Sequence, residues 1–183
     1  MVMLIVGAVV ETLVKHMTKT YLDNMDGVNI KGAPSWYMSP VKDQMCVFTH
    51  SKGDISAVDV AKNGAKFKMA KKINGVIDVV VYDNIKNIKD PKEKLIVDKF
   101  KRDPNLNLFV QKHLKYTKTI YEDKIHTAFV RACIDNKTFL QYQKTRIYDI
   151  NGQVLGAKSS NAFDSLDDEF GDETSNKKDK FDF

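Results

Sequence analysis

The sequence predicts an α+β fold: a small antiparallel sheet with one long packed helix, in a strand-helix-strand-strand core, plus peripheral helices. Three observations predict it. Between Ile55 and Ile73 apolar residues recur every three or four positions (Ile55, Val58, Ala61, Ala65, Met69, Ile73), the period of one helix face. Two alternating runs, Tyr116 to Asp123 and Ile125 to Ile134, flank Glu122-Asp123-Lys124 and read as an antiparallel hairpin. A short apolar run, Met45 to His50, reads as a further strand.

Taken in order, Met1 to Val10 is nearly all apolar and Val10 to Met25 is amphipathic. Ten residues are too few for a membrane-spanning helix, which needs about 20. No basic n-region precedes the run, as a signal peptide requires. An atypical export signal, a membrane-surface anchor and a buried helix all remain open. Residues 1–31 therefore form an N-terminal segment, and residues 32–150 form a single α+β domain. Pro34 to Tyr37 reads as an extended lead-in, because proline disfavours helix before it. Ser51 to Asp54 is a turn before the long helix, which Asn74-Gly75 is expected to end as a left-handed cap. Val76 to Tyr82 then reads as a strand on its β-branched content. Pro91 to Lys101 is expected to be a second helix with Leu95, Ile96, Val97 and Phe100 inward. Thr138 to Tyr148 is helical or extended, and Asn151-Gly152 is a turn. Residues 151–183 read as a disordered acidic tail, too poor in apolar residues to offset the entropy of ordering.

Charge is unevenly spread. From Ala157 onward there are eight acidic residues against four lysines, a net −4, which leaves +9 on the first 156 residues of a chain whose total is +5. A basic body attracts nucleic acid, anionic headgroups or acidic proteins. The candidate basic face is Lys62, Lys66, Lys68, Lys71 and Lys72, with a solvated helix face as the plainer reading. With 43% hydrophobic residues the chain has apolar material for a core without staples. Cys46 and Cys133 both lie in apolar runs, as small buried hydrophobes or as a disulfide in an exported chain.

No catalytic pattern stands out. The sequence has no glycine-rich phosphate loop and no Gly-x-Ser-x-Gly elbow. Cys46 and His50 share a strand face but sit too far apart for a nucleophile–base hydrogen bond. The four histidines lack ligand spacing with either cysteine, and the acidic run at 167–173 lacks an ordering glycine loop. No catalytic residue, metal or cofactor is expected. The candidate partner-contact residues are Trp36, Tyr37, Tyr116, Tyr121, Phe181 and Phe183, for which core packing is the competing reading.

Gly32-Ala33-Pro34-Ser35-Trp36, Val47-Phe48, Gly53-Asp54-Ile55 with its alanine- and lysine-rich helix, and Ala128 to Asp135 together form a spread-out pattern over residues 32 to 147. It resembles the twenty-kilodalton outer-membrane lipoprotein family typified in Helicobacter, with flagellar basal-disk relatives in Campylobacter-type bacteria. The resemblance implies a non-enzymatic structural or assembly role in the cell envelope, in the periplasm or at the inner face of the outer membrane. It implies self-association into a homo-oligomer or docking onto a larger assembly. The family's lipid-bearing cysteine has no counterpart after the apolar start, and the acidic tail is a second departure. The alternative expectation is a cytoplasmic single-stranded nucleic-acid-binding protein with a partner-recruiting tail. It draws on the basic body and on the aromatics Tyr116, Tyr121, Phe129 and Tyr142. Lysine far outnumbers arginine, which disfavours sequence-specific reading.

Overall fold

The computed structural model describes residues 8, 9, 11–15, 30–86 and 88–153. The elements in order are β1 (Gln44–Lys52), α1 (Ala57–Ile85), α2 (Pro91–Phe100), α3 (Leu106–His113), β2 (Lys115–Glu122) and β3 (Thr127–Asp135). A final helix, α4, covers residues 136–153. The strands form one antiparallel sheet in the order β1-β3-β2. The fold is therefore α+β, with one long helix packed on a small antiparallel sheet.

Alternation sorts the strands. Ala128, Val130, Ala132 and Ile134 of β3 face the helices together with Met45 and Val47 of β1. Cys46, Phe48 and Cys133 point to the opposite face, beneath Tyr37, Met38 and Val41. β3 is the central strand, so it is buried along nearly its whole length.

α1 differs from the expected helix, and the difference has a clear cause. It runs on through Asn74-Gly75 for 29 residues and absorbs the expected strand Val76 to Tyr82. Ala57, Ala61, Ala65, Met69, Ile73, Val76, Ile77, Val80 and Val81 make one buried stripe with unbroken helical spacing. Ile73, Ile77 and Val80 are completely buried, each worth roughly 1.5–3 kcal/mol. Packing on this scale outweighs the few tenths of a kcal/mol by which β-branched residues disfavour helix. Gly75 lies within the helix and does not cap it, and a Cβ there would meet no atom of the described residues within 4 Å.

α1 outruns the sheet, and its far half is covered by other helices. Val9 and Leu13 of an N-terminal helical segment are buried in the same core, as are Val97, Phe100, Phe109, Phe139 and Ile147. Residues 1–7 and 10 of the apolar run, and 16–29 after it, lie outside the described residues. α2 starts where expected: the Asp90 side chain accepts from the Lys92 N–H, and Pro91 occupies the first turn. Leu95, expected inward, is 46% exposed, while Ile96, Val97 and Phe100 are buried. Residues 138–148 and Asn151-Gly152 are all helical, so no turn forms at 151–152. Leu108 to His113 lies in α3, ahead of the hairpin.

Arg146 of α4 ties these helices together. Its guanidinium donates to the carbonyls of Phe100 and Arg102 at 2.9 and 3.0 Å and to Gln143 Oε1 at 2.8 Å. It pairs with Asp103 at 3.3 Å, and Asp103 also accepts from the Tyr142 hydroxyl. Burial lowers the Arg146 pKa, and Asp103 works against that shift.

Candidate docking site

The site starts from a strand edge. Cys46 and Cys133 are directly paired across β1 and β3, joined by a disulfide, with their Cα atoms 4.1 Å apart. So close an approach marks a non-hydrogen-bonded pair. The backbone groups of Cys46 and, two residues on, Phe48 therefore point away from β3 to the outer edge of the sheet. Lysines from α1 meet them there. Lys72 Nζ donates to the Cys46 carbonyl at 2.9 Å and Lys68 Nζ to the Phe48 carbonyl at 2.8 Å. Capping by lysine blunts an edge that would otherwise template strand pairing.

A groove of about 640 Å³ follows this edge. Its apolar walls are Met38, Val47, Phe48 and Phe67, and its basic rim is Lys68, Lys71 and Lys72. Gly64 opens the floor, since among the described residues Thr49 is the only side chain near its missing Cβ. Phe67 is 75% exposed. Burial, then the charge of Lys68, lowers the Lys72 ammonium from 10.5 to about 8. Burial also lowers Lys68. No carboxylate among the described residues forms an ion pair with these three lysines.

The second surface is the face of the sheet turned away from the helices. Pro34 to Tyr37, expected to be extended, makes a turn, with the Tyr37 N–H bonded to the Pro34 carbonyl at 2.8 Å. The turn sets Tyr37 edge-on against Phe48 and Phe129. The Tyr37 hydroxyl shares a 3.1 Å hydrogen bond with His50 Nδ1, and burial raises the phenol to about 12. Trp36 lies beside it, with Lys118 Nζ and the Arg131 guanidinium each 5.9 Å from its ring. Gly32, at φ 85°, brings this segment onto the hairpin turn; a Cβ there would stand 2.9 Å from Ile125 Cδ1.

Of the sequence candidates, Trp36 and Tyr37 share this face. Tyr116 and Tyr121 do not. They lie on the helix side, donating to the carbonyls of Lys62 and Gly53. Phe129 is completely buried, and Tyr142 stacks on Phe109 at 4.0 Å. Phe181 and Phe183 lie outside the described residues. The five lysines do not act as one solvated face: Lys68, Lys71 and Lys72 line the groove, Lys62 lies over the Tyr116 ring and Lys66 reaches Asn63. Sequence reasoning passed over Met38, Phe67, Lys118 and Arg131. Phe67 and Gly64 carried a signal, standing off the apolar stripe of a helix next to a strand rich in hydrophobes.

Among the described residues, no group of three or more His, Cys, Asp or Glu side chains is placed to hold a metal ion. No described helix is long and apolar enough to cross a membrane. Compared with family models, curated proteins and solved structures, the chain matches none of them.

Proposed function

We propose that this chain is a non-enzymatic assembly domain of an oxidising cell-envelope compartment, acting by self-association or by docking on a larger structure. This is the role implied by its resemblance to the outer-membrane lipoprotein and flagellar basal-disk proteins. The observation that carries it is a half-covered sheet pinned by a disulfide. Cys46–Cys133 locks β1 to β3, and such bonds persist in extracytoplasmic compartments. Around the bond, surface is left for a partner: among the described residues no strand pairs with the outer edge of β2, Ile120 and Tyr116 are each 37% exposed, and Trp36 stands at the open face. Light scattering at low and at high salt tests self-association. The reading expects one discrete oligomer, or one discrete complex with an envelope partner, that survives about 1 M salt, where the Debye length is about 3 Å. A monomer that meets no envelope component overturns it.

One observation favours a second reading. Trp36 flanked by Lys118 and Arg131 is the aromatic and basic pairing that stacks nucleic-acid bases. Single-strand binding would weaken steeply as salt rises. The absence of oligonucleotide binding at low salt eliminates it.

A further inference from the structure

The groove along β1 joins two features that rarely coexist unpartnered. Three lysine ammoniums stand at its rim, and none forms an ion pair with a carboxylate of the described residues. Its wall carries a phenylalanine that is 75% exposed. A ligand that suits both must be anionic and apolar at once. The volume, about 640 Å³, suits a few side chains of a peptide. Lys68 and Lys72 each spend one donor on a β1 carbonyl, and an ammonium has three. The remaining N–H groups are available to carboxylates without disturbing the strand edge.

The chain itself contains a segment of this chemistry. Residues 163–173 hold six carboxylates (Asp164, Asp167, Asp168, Glu169, Asp172, Glu173) and no lysine or arginine. Phe163, Leu166 and Phe170 are interspersed among them. We propose that the β1 groove binds this acidic, phenylalanine-bearing segment of the same chain, with its carboxylates on Lys68, Lys71 and Lys72 and a phenylalanine against Phe67 and Met38.

The tether is long enough. α4 begins beside β1, where the Asn136 N–H bonds the Asp43 carbonyl at 3.0 Å. Its 18 residues carry the chain at most about 27 Å away. Residues 163–173 lie 10 to 20 positions beyond residue 153, a reach of roughly 35 to 70 Å when extended. Tethering within one chain raises the effective concentration of the segment at the groove, so even weak affinity fills it in cis.

The inference rests on the protein-docking reading above but fails separately, because its readout is the position of a cross-link and not an oligomeric state. The test is zero-length carbodiimide cross-linking of the full-length protein at micromolar concentration. Equal amounts of isotopically light and heavy copies are mixed, and the products are read by peptide mass spectrometry. The expected result joins residues 164–173 to Lys68, Lys71 or Lys72 in all-light and all-heavy pairs. The yield should fall at least fivefold in 1 M salt and again in the Phe67→Ser variant, whose exposed position leaves the fold intact. Cross-links spread evenly over the surface lysines, or no effect of Phe67→Ser, would overturn the proposal. Mixed light–heavy pairs at the statistical share would overturn it in favour of a second copy as occupant.

Discussion

Reducing the Cys46–Cys133 bond should destabilise the domain by several kcal/mol while leaving its strands paired. The bond joins residues 87 apart in sequence, so it closes a loop that spans most of the folded body. In the chain-entropy treatment a loop of that length restricts the unfolded ensemble by about 4.5 kcal/mol at 25 °C. Residual structure in the unfolded chain reduces the effect, so a loss of about 3 to 4.5 kcal/mol is expected. That is a large share of the roughly 5–15 kcal/mol that holds a domain of this size. The reduced state isolates the link itself, because no atom is deleted and Val47↔Ala132 and its neighbours keep their register. The assay is urea unfolding followed by far-UV circular dichroism, with and without a phosphine reductant. With a slope of about 2 kcal/mol per molar, the midpoint should fall by about 1.5 to 2.3 M. A shift below about 0.5 M would refute the reasoning, since it would mean that the two cysteines are not joined or that the link restricts nothing.

Gly75→Ala should stabilise the protein by about 0.5–1 kcal/mol, because the site is helical and open; a loss on thermal unfolding would restore the glycine cap and the Val76 to Tyr82 strand. Asp103→Ala should cost about 3 kcal/mol or more, since it leaves the Arg146 guanidinium buried without its carboxylate; a cost under 1 kcal/mol in urea would contradict the network. Lys72 gives a pH signature. Its folded pKa, about 8, lies below the unfolded 10.5, so the unfolded chain binds more protons between those values and stability rises with pH across the lower part of that window. Lys68 adds in the same direction, while Tyr37 and Tyr142, both raised to about 12, reverse the trend above pH 10. Lys72→Met should flatten the rise between pH 8 and 10 in denaturation midpoints, and an unchanged slope would count against the buried ammonium.

Much of the fold was legible because its signals were periodic. The hairpin announced itself through alternation around Glu122-Asp123-Lys124, and α1 through the apolar period from Ile55 to Ile73, although Ile55 is exposed ahead of the helix and Ala57 takes the first buried place. The stripe continues through Val76, Ile77, Val80 and Val81, but local propensity read those residues as a strand. Only tertiary burial beneath α2, α3 and the N-terminal segment makes them helical. The site was less legible. Cys46 and Cys133 were visible as buried cysteines, but their pairing depends on strand register, which residues 87 apart do not reveal. The lysines were visible as a basic helix face. That Lys68 and Lys72 bend onto the carbonyls of β1 follows from the packing of α1 beside an edge strand. Trp36 and Tyr37, two of the candidate contact residues, lie side by side on one face of the sheet. Lys118 and Arg131 join them only through the pairing of β2 with β3.

The most direct test of the envelope-assembly reading is thiol trapping on fractionated cells of the source organism. Cells are quenched in acid, alkylated before and after reduction, and the protein is followed by mass spectrometry. The account predicts that the protein partitions with the envelope and that Cys46 and Cys133 take up label only after reduction. Free, freely alkylated cysteines on protein recovered from the cytoplasmic fraction would contradict it.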